Sequence, residues 1–216
     1  MDWADQAEAA VARYRDGEAR VGELADAGER QRQLTRLGNA AWAAGLCLLL
    51  DGRAAQSAVW LRRAAARYRE SWHEAPPDSW GRPIGALKAL LLAGDDSTDA
   101  AGWPLDAGAA AAASPIGRYA GTLALLVLCR DAEAHELAAS LTDRDDFPHD
   151  VAAALGALAA GDAAGYRSAV TSVLRSFETR SAFLEDVAVA DTVLVLQRLA
   201  APRGLAVELP PSPLLP

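Results

Sequence analysis

The chain has 216 residues, with 21 Lys plus Arg against 29 Asp plus Glu, for a net charge of −8. A compact monomer of this size buries roughly 70% of its unfolded surface, enough for one large core. The acidic balance argues against general binding to nucleic acid or an anionic membrane, which both require a positive surface, and 51% hydrophobic residues exclude a disordered chain. A basic partner is the easier electrostatic fit.

Ala, Leu and Arg dominate. All are strong helix formers, and period-two alternation is scarce, so the pattern predicts an all-α protein without a sheet. Lys88 is the only lysine beside 20 arginines and 51 alanines. That bias suits a GC-rich genome, and the excess of Asp over Glu suits a salt-adapted cell. The acidic opening MDWADQAEAA is unlike the basic start of a signal peptide. The longest apolar runs span about a dozen residues, short of the roughly 20 that cross a bilayer. Both readings predict a soluble cytoplasmic chain.

The first helix is expected over about Asp2–Asp16, with Trp3, Ala7, Ala10, Val11 and Tyr14 as its apolar stripe and Gly17 as its interruption. Residues 18–37 are highly charged. Residues 38–50, GNAAWAAGLCLLL, are apolar on nearly every side, the pattern of a helix surrounded by others. Asp51-Gly52 turns the chain into a helix over about 53–74, with Leu61, Ala64, Ala65, Tyr68 and Trp72 on one face, and Pro76-Pro77 stops it. Pro83 starts the next helix, which ends at Gly94-Asp95. Residues 95–115 read as the least ordered part, with an Ala-rich half-helix at 106–113. Ser114-Pro115 caps a further all-round apolar helix over 115–129. Helices follow at 132–142, 148–160 and 162–178. Ser181 is expected to cap a long last helix over 182–201, before a proline-rich tail that runs extended.

One layout recurs: an apolar helix, a short Gly/Asp turn, then a more amphipathic helix. The turns are LLLDGR, LLLAGDD, VLCRDAE and LAAGDAA. This predicts an array of antiparallel helical hairpins, comparable to tetratricopeptide repeats, in which neighbours bury faces that no hairpin buries alone. Gly45, Gly52, Ser57, Leu61 and Ala64 follow the small and apolar order of that repeat. The predicted organisation is a single domain with amphipathic helices over 1–37, the hairpin array over 38–201 and the tail over 202–216.

Chemistry-bearing motifs are few. Cys47 and Cys129 sit in apolar runs and read as core residues. Glu70-x-x-His73 has di-iron spacing but stands alone, where such a site needs two copies and further carboxylates. The DDFPHD loop around His149 lacks the alternating ligands of a calcium loop. There is no nucleophile elbow and no phosphate-binding loop. Arg, Tyr68 and Trp72 in RRAAARYRESWH have the composition of a nucleic-acid grip, but the aromatics align with the core face. No catalytic residue, metal ligand or cofactor is expected. The densest acidic positions are Asp95, Asp96 and Asp99, and Asp143, Asp145, Asp146 and Asp150. Both groups fall in connections, where a rigid scaffold displays binding residues, so they are the expected contacts for a protein partner. Hydration in a salty cytoplasm is the plainer reading of the same aspartates.

Residues 116–216 resemble the immunity protein 49 family of bacterial polymorphic-toxin systems. Arg130-Asp131 closing a helix, the Gly161-Asp162 turn, Arg203-Gly204, and the stretch from Ser212 to Pro216 carry the likeness. The resemblance implies an all-helical, non-enzymatic protein that binds and neutralises a toxin. The net charge of −8 suits a basic toxin, and the chain is expected to be a monomer or homodimer. A helical-repeat scaffold without a toxin is the alternative, and an enzyme with an inter-helix cleft the third.

Overall fold

The computed structural model describes residues 2–216. Among these, ten α-helices and three single 3-10 turns account for 73% of the chain, and no strand forms. No helix among the described residues is long and apolar enough to cross a membrane. The chain divides into two compact units. One holds the chain up to Asp95 with Ser181–Val189 and Pro213–Pro216; the other holds Asp96–Arg180 with Ala190–Ser212.

The first unit contains α1 (Trp3–Val21), α2 (Ala27–Leu50), α3 (Ala54–Trp72) and α4 (Gly81–Ala93), each packed on the next. Asp2 caps α1 by accepting the Ala4 N–H at 2.9 Å, and Asp26 caps α2 by accepting that of Glu29 at 2.7 Å. Gly17 does not interrupt α1. It is buried, and its missing side chain lets α2 approach until Gln33 Nε2 donates to the Gly17 carbonyl at 3.1 Å. The apolar segment predicted at 38–50 is the second half of α2, buried from Gly38 to Leu48 with the exception of Asn39 because α1 and α3 both cover it. Tyr68 of α3 lies between two glycines. A Cβ on Gly38 of α2 or Gly85 of α4 would come within 2.7 Å of its ring, and its hydroxyl donates to Asn39 Oδ1 at 2.9 Å.

The second unit contains α5 (Thr98–Asp106), α6 (Pro115–Val127), α7 (Asp131–Thr142), α8 (His149–Ala160), α9 (Ala163–Glu178) and α10 (Asp191–Ala200). α5 stands in the stretch 95–115 that reads as the least ordered part of the sequence. It forms despite Pro104 because Ala101, Trp103 and Pro104 are buried, and the half-helix expected at 106–113 is one 3-10 turn at Ala109–Ala111. Ser114 caps α6 as expected, accepting the Gly117 N–H at 3.1 Å.

The last helix is half its expected length. Residues 181–190 are irregular, with a single 3-10 turn at Leu184–Asp186. Val187 and Val189 are buried and Ala188 only half so, a period-two burial that an extended backbone satisfies and a helix does not.

The recurrent Gly/Asp turns share one geometry. In each, a residue at positive φ donates its N–H to the carbonyl three residues back, and the following residue donates to the carbonyl five back. Asp95 to Leu90 (3.1 Å) and Asp162 to Ala157 (2.9 Å) are two of these second bonds. Gly52, Gly94, Gly161 and Gly204 occupy the positive-φ position, with Cys129 at φ 55° in the fifth turn. Cys129 is therefore exposed beyond the end of α6, not in the core, whereas Cys47 is fully buried. Burial pushes the Cys47 thiol up to about 11, which leaves it protonated and inert near neutrality.

Two polar clamps close the second unit. Arg203 Nη2 donates to the Leu126 carbonyl at 2.7 Å and Nη1 to that of Leu199 at 2.9 Å, while Nη2 and Nε grip the Asp131 carboxylate. The Gln197 side-chain amide donates to the Val207 carbonyl and accepts its N–H at 3.3 Å, fixing residues beyond Gly204 beside α10.

Candidate functional site

The two acidic clusters meet different fates. Asp95 is gripped by Arg62 through two hydrogen bonds of 2.7 and 2.6 Å. Those bonds from the guanidinium hold its carboxyl below the usual range. Asp96 opens α5, accepting the N–H of Thr98 at 2.9 Å and its hydroxyl at 2.7 Å. Asp99 lies exposed in the first turn of α5, where the helix dipole favours negative charge. Each of these three has a local structural use, and Asp95 is neutralised within the chain.

The α7–α8 connection presents its carboxylates differently. Asp143, Asp145 and Asp146 are exposed. Beneath them Phe147 is buried, its ring 5.5 Å from that of Tyr119. His149 Nδ1 lies 3.0 Å from the Thr142 carbonyl, tying the two ends of the loop together. Arg144 donates to both oxygens of Asp146 at 2.8 and 2.7 Å and depresses its titration. Asp150 faces inward: its Oδ1 accepts the Val151 N–H at 2.8 Å and its Oδ2 the Ser176 hydroxyl. The loop thus carries four carboxylates and one guanidinium on an anchored backbone. Two of the carboxylates, Asp143 and Asp145, are available to a partner without breaking an internal contact, and Asp146 is exposed but paired with Arg144.

The structure also forms two concavities that the sequence does not suggest. A groove of about 590 Å³ in the second unit is lined by Leu105, Leu125 and Leu137 together with Arg118, Arg130 and Glu136. Arg130 is already paired with Glu133 at 2.7 and 2.6 Å. In the first unit a cleft of about 430 Å³ lies over the meeting of α1 and α2 and gathers Arg13, Arg20 and Arg36 with Glu185. Reading residues 182–201 as continuous helix hides the placement of Glu185, so this cleft has no signal in the pattern. Among the described residues no group of three or more His, Cys, Asp or Glu is arranged to hold a metal ion. No family model, no curated protein and no solved structure matches the chain.

Proposed function

We propose that this is a non-enzymatic, cytoplasmic protein-binding protein whose helices form a tetratricopeptide-like hairpin array, and that it binds a basic polypeptide through the 143–150 loop. The observation that carries the reading is the anchored acidic loop: Asp143, Asp145 and Asp146 stand exposed over a buried Phe147 and a closed loop base. A rigid display of like charge lowers the ordering cost of association and steers an oppositely charged partner. The overall charge of −8 acts in the same direction. The likeness of residues 116–216 to the immunity protein 49 family supports the specific form, neutralisation of a basic toxin whose substrate the acidic surface would mimic.

The test uses the full chain as bait in lysate of the source cell, beside a D143N/D145S/D146N variant. The expected outcome is retention of a basic polypeptide by the native chain and its loss on the variant, with matching melting curves. Equal retention by both baits overturns the assignment of the loop.

A further inference from the structure

The cleft of the first unit has features that its packing does not require. Arg13 and Arg20 are seven residues apart on α1, about two turns, and so share a face. Arg36 reaches the same cleft from α2. Three guanidiniums thereby converge in a chain of net charge −8. They are only partly offset. Arg20 Nε donates to a neutral acceptor, the Asp16 carbonyl, at 3.0 Å, and among the described residues neither Arg20 nor Arg36 makes an ion pair. Asp16 and Glu185 supply the only carboxylates of the cleft, which retains a positive excess.

Glu185 enters the cleft at a conformational cost. It and Asp186 stand consecutively at φ 56° and 59°, where L-residues rarely go. This double turn directs the Glu185 carboxylate at Arg13, yet the contact it achieves is a single one of 3.5 Å. Strain of this kind persists where surrounding structure imposes it and gathers at ligand clamps. A carboxylate of the chain itself therefore sits loosely where an external anion would be held.

We propose that this cleft binds a small oxyanion, a ligand bearing a carboxylate or phosphate group, through Arg13, Arg20 and Arg36, and that the ligand displaces Glu185 from Arg13. Guanidinium is the suitable group, since its planar fork matches both oxyanions with two parallel hydrogen bonds. The cleft is built from residues of the first unit alone and the 143–150 loop from residues of the second, and the test of one does not depend on the role of the other.

The experiment titrates the full chain with sodium phosphate, and separately with sodium acetate, at ionic strength held constant with sodium chloride. The arginine side-chain Nε–H signals are followed by NMR. Saturable shifts at Arg13, Arg20 and Arg36 are expected, and the tighter of the two anions identifies the ligand class. Arg36→Gln, an exposed change that leaves the helix intact, should weaken binding roughly tenfold, the loss of about one charge-assisted hydrogen bond. Glu185→Gln should tighten it severalfold by removing the internal competitor. Shifts that stay linear and nonsaturating with both anions overturn the site. An affinity unmoved in Glu185→Gln overturns the displacement.

Discussion

Asp95 and Asp146 look alike in sequence to Asp143 and Asp145, yet each is held by an arginine, Arg62 and Arg144 respectively, through a two-point contact. Hydrogen bonding to the charged form depresses both carboxyls. A depressed folded value adds stability above the unfolded value and loses it as the pH falls through the folded one. Because both pairs are exposed, their weight in stability is small, and titration is the better readout. Carboxyl-carbon NMR should give midpoints for both below the ordinary aspartate value of about 3.9, and Arg62→Ala should return Asp95 alone toward it. A midpoint for Asp95 that ignores the substitution would contradict the pairing. Asp131 and Arg203, by contrast, form a contact in which Arg203 is mostly buried, at 12% side-chain exposure. Asp131→Ala should cost about 1.5–3 kcal/mol, the value of hydrogen bonds to a charged group, and lower Tm by roughly 2–4 °C per kcal/mol. The sequence marks all these positions as charged. It does not say which arginine folds onto which carboxylate, since the partners of Asp95 and Arg203 stand 33 and 72 residues away.

The turns between helices are the most legible elements. LLLDGR, LLLAGDD and LAAGDAA announce a stop because glycine alone enters the left-handed region without a Cβ penalty. Cys129 fills the same position at φ 55°. Cys129→Gly should therefore raise stability by up to about 1 kcal/mol, seen as a higher denaturation midpoint at unchanged slope. Glycines inside helices follow the opposite logic. Helix propensity predicts a gain of about 1 kcal/mol for Gly38→Ala, but the new Cβ would meet the Tyr68 ring at 2.7 Å. Overpacking typically costs 1–3 kcal/mol, so Gly38→Ala is expected to lower Tm, and a rise would contradict the close approach of α2 and α3. The uniformly apolar runs of α2 and α6 are also legible, and Leu48 and Leu125 are only 4% and 3% exposed. Ser181–Ala190 is not. Its composition resembles that of a helix, while burial of Val187 and Val189 requires an extended backbone. The position of Glu185, and with it the arginine cleft, depends on that choice.

At the scale of the whole molecule, all-helical architecture follows from composition, whereas the candidate sites depend on how loops are anchored. Residues beyond Gly204 show the difference. Their proline content excludes a helix, but the first of them are held by the Gln197 amide on Val207 and by the burial of Leu205 at 9% exposure. Burying one leucine is worth about 1.5–3 kcal/mol, so removing residues 205–216 should lower Tm by several degrees, and an unchanged melting curve would contradict the docking. The acidic loop has no such internal use for Asp143 and Asp145, and its proposed role is association. The most direct measurement is the association rate of the captured basic polypeptide with the native chain and with D143N/D145S/D146N, across a salt series. Exposed charges are screened over about 10 Å at 0.1 M salt. The predicted result is a rate that falls steeply with salt for the native chain and starts lower, with a shallower slope, for the variant. Two superimposed salt curves would contradict recognition through the 143–150 loop.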